Sequence, residues 1–333
     1  MQVLLLNRFF RSGQTVHVEQ LARGLMQRGH KVKVYLDNNP ESLKRSPQTL
    51  KAYNNHKKNL VLQGVNVLET FPEKVSFKTI IHAHSSITWP QAATLAKDFH
   101  CPLVLTIHGY GLNNYISYMQ QADLVISVGK CFAEPYQNEV KDIIVLGNAV
   151  DLLEYQPAKK HQDKKVITYL GRYAESKRLG LIILGEALNE VAKKVPLEIR
   201  VIGNIPFGIF TGVNVNNYGW QEDRAHFLAD SDIVIGTGMA IREGMATGNV
   251  GYVLGRDADG FVDPSKLEPI PEFTGGKSGL YPNISLFYNS FLELLQDEAT
   301  LRELQQESRL FAQKYLDYNN FLDQIEDLYS SLL

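Results

Sequence analysis

Cysteine is scarce: Cys101 and Cys131 are the only two in 333 residues, and they lack metal-ligand spacing. That scarcity excludes a disulfide scaffold and favours a reducing compartment, with both thiols read as packing residues. Charge of one sign is also lacking. Thirty-four Lys and Arg stand against 36 Asp and Glu, a net charge of -2, so no overall field draws nucleic acid or an acidic partner, and no nucleic acid is expected. Long apolar runs are missing too. None reaches membrane-spanning length, and the run at residues 3–6 is too short for the apolar region of a signal peptide. These absences lead to the expectation of a cytoplasmic protein, at most peripheral to the inner face of a membrane. No short-period repeat or low-complexity tract appears.

What is present is ordinary globular material, 44% hydrophobic and 21% charged, enough for two medium-sized cores. Short apolar runs alternate with helix-period segments. Strands are predicted at 3–6, 32–35, 79–83, 103–107, 124–128 and 143–146, with a helix between the first two carrying Val18, Leu21, Ala22, Leu25 and Met26 on one face. The rhythm restarts after the polar stretch 156–163, with strands at 166–170, 199–202 and 233–235 and helices near 179–191 and 221–228. A final amphipathic helix carries Phe321, Ile325, Leu328, Tyr329 and Leu332. The pattern predicts an α/β protein of two doubly wound, largely parallel sheets, with ligands at the carboxyl ends of the strands. One segment departs from the charge balance. Residues 44–58 hold Lys44, Arg45, Lys51, Lys57 and Lys58 and no acid; they are expected to form a solvated surface loop or a patch for anionic lipid or an anionic acceptor.

The sharpest local signal is Gly171-Arg172-Tyr173-Ala174-Glu175-Ser176-Lys177, between a predicted strand and a predicted helix. A glycine there lets a ligand approach the backbone, and Arg172 and Lys177 can meet one anion near a helix N-terminus. On spacing alone, the same segment is equally a turn with two solvated cations. Asp257-Ala258-Asp259 has the look of a metal-binding D-x-D triplet, but so short a pattern carries little, and no metal is expected. His82 and His84 are expected on opposite faces of their strand and not to share a metal. The stretch 272–276, rich in glycine, reads as an anion nest or a flexible turn.

The segment I-T-Y-L-G-R-Y-A-E-S-K resembles the G-R-x-x-x-x-K loop of retaining GT-B glycosyltransferases of the large glycogen-synthase-like and mannosyltransferase-like family (glycosyltransferase family 4-like, group 1). Other segments are similar to the same family in the same order: L-L-L-N-R-F-F-R-S-G-Q, I-I-H-A-H-S-S, L-T-I-H-G-Y-G, L-G-N-A-V-D, I-R-V-I-G-N and Y-G-W-Q-E-D. The resemblance covers nearly the whole chain. It implies the GT-B fold, two facing Rossmann-like domains with a cleft between them: an acceptor-side domain over 1–150, a donor domain over 151–316, and a C-terminal helix over 317–333 that packs back on the first. A hinge is implied near 148–157.

The resemblance also implies roles. Arg172 and Lys177 would hold the donor diphosphate, with Gly171 and Gly203 bordering the nucleotide and Gly13 lying by the phosphates. His108 would contact the transferred sugar, so His108, Arg172 and Lys177 are the catalytic candidates. The family's paired glutamates, with seven residues between them, are met by Glu243 alone, because the first position is Ile235. Glu243 would take the ribose hydroxyls, while Thr237 and Gly238 replace the lost carboxylate with a glycine-rich turn. The implied activity is transfer of a hexosyl or N-acetylhexosaminyl group from a nucleotide sugar, with retention and no cofactor or metal. A UDP-sugar is favoured over a GDP-sugar, the acceptor is unidentified, and a place in cell-envelope polysaccharide synthesis is implied. The alternatives are a non-catalytic nucleotide-sugar binder and a GT-B nucleotide-sugar epimerase.

Overall fold

The computed structural model describes residues 1–10, 12–37, 47–206, 208–210, 212, 214–221 and 223–333. The chain divides into two compact units, Met1–Asn148 with Asn320–Leu333, and Ala149–Asn319.

In the first unit seven parallel strands form one sheet in the order β3-β2-β1-β4-β5-β6-β7. They are β1 (Gln2–Arg8), β2 (Lys31–Asp37), β3 (Asn66–Leu68), β4 (Thr79–Ala83), β5 (Leu103–Ile107), β6 (Leu124–Ser127) and β7 (Ile143–Val145). The helices are α1 (Gly13–Gln27), α2 (Pro47–Leu62), α3 (Trp89–Phe99) and the short α4 (Ile116–Met119) and α5 (Lys130–Ala133). Strands β4 and β5 are buried at every position, as expected of parallel strands covered on both faces. Helix α1 packs on β1 and β2 with Val18, Leu21, Ala22 and Leu25 turned inward. On α3, Trp89 is fully buried against Leu4, Ile81, Leu105 and Ile107. Its indole N–H still finds an acceptor, the Ala83 carbonyl at 3.2 Å, which removes the cost of burying it.

In the second unit the sheet order is β10-β9-β8-β11-β12-β13. The strands are β8 (Lys165–Leu170), β9 (Leu197–Ile202), β10 (Val215–Gly219), β11 (Ile233–Gly236), β12 (Val250–Leu254) and β13 (Ala258–Phe261), the last an antiparallel edge. Helices α6 (Arg178–Ala192), α7 (Ala225–Ala229), α8 (Met239–Ala246), α9 (Ile284–Gln296) and α10 (Glu298–Tyr315) complete it. Alternate residues of β11 feed two cores: Ile233 and Ile235 pack with Leu184, Leu188 and Phe287, and Val234 with Ile241, Met245 and Phe311. The last helix, α11 (Tyr318–Ser330), carries Arg28 and His30 contacts back into the first unit: Arg28 pairs with Asp323 at 2.6 Å and with Glu326, and His30 meets Glu326 as well.

Two departures from the sequence reading belong to the fold. The basic segment was expected as a loop, yet residues 47–62 are helix α2. Only two of its large apolar residues, Tyr53 and Leu60, are deeply buried, too few to give a readable helical period. Lys51 and Lys58 face solvent and Lys57 pairs with Glu69; Lys44 and Arg45 lie outside the described residues. The predicted helix at 221–228 begins later and is short, Ala225–Ala229. Among the described residues no helix is long and apolar enough to cross a membrane.

Candidate donor site and histidine cluster

In the second unit the strand order reverses between β8 and β11, so their carboxyl ends part and leave a crevice. Glycine holds the backbone close there. Gly203, at φ 141°, lies so near the Gly171 carbonyl that an added Cβ would stand 1.8 Å from that oxygen, and one on Gly236 would stand 2.5 Å from the Leu170 carbonyl. No other residue fits either position without moving a strand end. A single helical turn, Glu175–Lys177, then leads into α6, a 15-residue helix whose N-terminus carries partial positive charge.

Both expected cations lie at this crevice. Arg172 is exposed, and the Lys177 ammonium donates to Thr237 Oγ1 at 3.2 Å, bridging the ends of β8 and β11. Burial, then the charge of Arg172, pushes the Lys177 pKa below its ordinary value. Among the described residues neither cation has a carboxylate partner. Two like charges near one another with no counter-ion among the described residues, beside a helix N-terminus, suit an anion.

Across the crevice, α8 begins at Gly238, whose N–H donates to the Phe273 carbonyl at 2.8 Å. That donor is therefore spent within the protein. Glu243 is 2% exposed. Its two oxygens accept from Arg224 Nη2 at 2.7 Å and Nε at 3.2 Å, and the same guanidinium reaches the Tyr155 hydroxyl at 3.5 Å. The Glu243 charge, ahead of the opposing effect of burial, holds the Arg224 pKa above its ordinary value. Burial first, and the Glu243 charge second, push the Tyr155 phenol up. Sequence reasoning missed Arg224 and Tyr155. The available signal was Glu243 itself, a carboxylate on a helix bound for the interior, which requires a cation.

Asp257 and Asp259 serve the loop that follows them. Asp259 accepts from the backbone N–H groups of Gly276, Lys277 and Ser278 at 3.0–3.4 Å. Asp257 accepts from Gly279 N at 3.1 Å and pairs with Arg256 Nε at 3.0 Å. The nest is therefore made by residues 276–278, so of the stretch 272–276 only Gly276 takes part, and its anion is a side chain of this same chain.

In the first unit the strand order reverses between β1 and β4, and the N-terminus of α1 stands at the same end. Gly13, the first helical residue, is exposed. Beside it Gln14 Nε2 donates to Asn7 Oδ1 and to Ser85 Oγ, both at 2.6 Å, tying the helix start to the ends of both strands. The Ser12 hydroxyl is buried, with no partner among the described residues.

Four histidines gather here. His108 follows β5, His84 follows β4, His82 lies in β4 and His17 in α1. The His82 and His84 rings are 4.0 Å apart between centroids. The expectation that they point to opposite faces is overturned for a simple reason: residues two apart on a strand share a face. His84 Nδ1 is 3.1 Å from His108 Nε2. His82 is satisfied by the Tyr329 hydroxyl at 2.5 Å and Thr106 Oγ1 at 2.6 Å. Burial is the largest cause of a lowered pKa in all four, to about 4 for His17 and about 3 for His82, and well below the ordinary value for His84 and His108. One nitrogen each of His17, His84 and His108 lies within 4.8 Å of the others. Two nitrogens on one tetrahedral zinc, each about 2.0–2.1 Å from it, stand roughly 3.3 Å apart.

Residues 11–153 match the model for Glycosyltransferase Family 4. HepE from Anabaena, solved in complex with UDP and glucose, is similar over 100% of both chains at 16% identity, with a TM-score of 0.72. A glycosyltransferase from Rickettsia africae ESF-5 is similar over 99% of this chain and 98% of its own, at 14% identity and a TM-score of 0.74. Sucrose-phosphate synthase from Thermosynechococcus elongatus is similar over 100% of this chain and 99% of its own, at 16% identity and a TM-score of 0.66. No curated protein sequence matches the chain. At such identities the likeness is one of fold.

Proposed function

We propose that this chain, which has the GT-B fold and a Glycosyltransferase Family 4 match over residues 11–153, transfers a sugar from a nucleotide-diphosphate donor to an acceptor hydroxyl. The observation that carries the reading is the pair Arg172 and Lys177, two cations without a carboxylate partner among the described residues, set at the crevice between β8 and β11. Transfer needs the leaving diphosphate stabilised, and groups already in place do so without reorganising during the reaction. Arg172 and Lys177 hold the diphosphate, and the small residues Gly171 and Gly203 allow the nucleotide to approach.

In the same reading Gly13 lies by the phosphates, Thr237 and Gly238 border the sugar, and His108 contacts the transferred sugar. Glu243 holds the ribose hydroxyls. A carboxylate has about four lone-pair sites, so its contacts with Arg224 leave acceptor capacity for two hydroxyls. The donor is a UDP-sugar in preference to a GDP-sugar, a choice supported by the UDP and UDP-glucose complexes of HepE. Retention follows the family resemblance, with the leaving phosphate taking the acceptor proton on the front face. The transferred group is of the hexosyl or N-acetylhexosaminyl type, no metal or cofactor is used, and the acceptor is reached through the basic segment 44–58 at a membrane surface.

Product analysis tests this. Incubation with UDP-glucose or UDP-N-acetylglucosamine and candidate acceptors is expected to release UDP and give a glycoside of unchanged anomeric configuration. An epimerised nucleotide sugar would replace the transferase reading with an epimerase. Tight binding with neither product nor hydrolysis, across UDP-, GDP- and ADP-sugars, would replace it with a non-catalytic binder.

A further inference from the structure

The hydrogen bonds of the histidine cluster contain an asymmetry. His82 has a partner at each ring nitrogen. Among the described residues His84 has one: its Nδ1 is 3.1 Å from His108 Nε2, while its own Nε2 is buried with no partner. Among the described residues His108 Nδ1 makes no hydrogen bond to another side chain or to the backbone.

A neutral imidazole has one N–H and one lone pair, and burial keeps both rings neutral near pH 7. With its proton on Nε2, His84 would bury a donor that has no acceptor, the more costly omission. With its proton on Nδ1, it leaves only a lone pair unsatisfied and donates to His108 Nε2. The second arrangement wins. His108 must then accept at Nε2 and carry its own proton on Nδ1.

We propose that His84 is a positioning residue that fixes His108 as the Nδ1–H tautomer, so that the ring offers a hydrogen-bond donor, not an acceptor, to the sugar oxygen it meets. The inference deepens the transferase reading and rests on it for the role of the sugar. A donor at this point selects for an oxygen with a lone pair turned to the ring. It also keeps the ring from acting as a base at that nitrogen, in line with a reaction whose proton leaves on phosphate.

Two measurements test the proposal. In full-length protein carrying ¹⁵N-histidine, the long-range ¹H–¹⁵N spectrum at pH 7 is expected to show His108 protonated at Nδ1 and bare at Nε2, and His84 protonated at Nδ1. This readout needs no turnover, so it stands even if the chain transfers no sugar, an outcome that would defeat only the functional reading. In turnover assays His84→Ala is expected to lower kcat about tenfold or more with UDP affinity unchanged. His84→Asn, whose amide nitrogen takes the place of Nδ1, restores most of that loss. In a His108→Ala background His84→Ala adds less than about twofold, as when two changes remove one interaction. The proposal is overturned by a His108 protonated at Nε2, by a His84→Asn enzyme as slow as His84→Ala, or by stoichiometric zinc bound to these rings in the purified protein.

Discussion

At Glu243 a buried ion pair coincides with the residue proposed to take the ribose. Its carboxylate is buried and paired with Arg224, whose side chain is 13% exposed. Removing one partner of such a pair strands the other charge. Arg224→Ala is expected to destabilise the second unit by roughly 3–5 kcal/mol, whereas replacing both residues by methionine costs much less. Chemical denaturation followed through Trp220 in a Trp89→Phe background measures both. If Glu243 also takes the ribose, Glu243→Gln weakens UDP binding by about 1.5–3 kcal/mol, and the mutant no longer distinguishes UDP from its 2′,3′-dideoxy form. Losses that simply add would detach Glu243 from the ribose. At this scale the sequence was partly legible. Arg172 and Lys177 stand five apart and read as one loop, but Arg224 and Glu243 stand 19 apart on different elements, and nothing in either local sequence announces the other. His17 likewise joins His84 and His108 only because α1 packs over the strand ends.

Among the elements, buried parallel strands were the easiest to read, since covering on both faces forces unbroken apolar runs. The edges were not. β3 has one exposed and two half-buried residues, and β10 is Asn-rich and largely exposed. β12 is wholly buried, but Gly251 interrupts its apolar run. A side chain there would stand 2.9 Å from Ile241 and 3.1 Å from Val262, so packing demands the residue that hides the strand.

Strand β4 and helices α1 and α11 together hold histidines that resist protonation. His17 and His82 have folded pKa values lowered to about 4 and about 3, against about 6.5 in the unfolded chain. Because the unfolded state binds more protons below about pH 6.5, the stability these residues contribute is complete above that pH and is lost as the pH falls toward the folded values. From pH 7 to pH 5.5 the first unit is expected to lose about 1 kcal/mol for each such histidine. Trp89 fluorescence in a Trp220→Phe background reads this unit; a midpoint unchanged across that range would show the rings already charged or exposed. Tyr329→Phe, which leaves His82 Nδ1 buried without its partner on α11, should cost about 1–3 kcal/mol by the same readout.

For the molecule as a whole, the restart of the strand-helix rhythm after residue 156 was enough to give two units, and the order of motifs was enough to suggest their class. The acceptor was not legible, because no local motif in the sequence points to one. Metal independence is a whole-molecule expectation. Asp257 and Asp259 already accept backbone and guanidinium donors, so turnover should survive EDTA; complete loss that manganese restores would return those carboxylates to a metal.

The crevice between β8 and β11 is proposed to hold a nucleoside diphosphate through Arg172 and Lys177. Calorimetric titration of UDP in EDTA, with wild type, Arg172→Ala and Lys177→Ala, measures this directly. Wild type should bind, and each substitution should weaken binding by roughly 1.5–3 kcal/mol while leaving the melting temperature of the free protein unchanged. Equal UDP affinity in all three proteins would contradict the account.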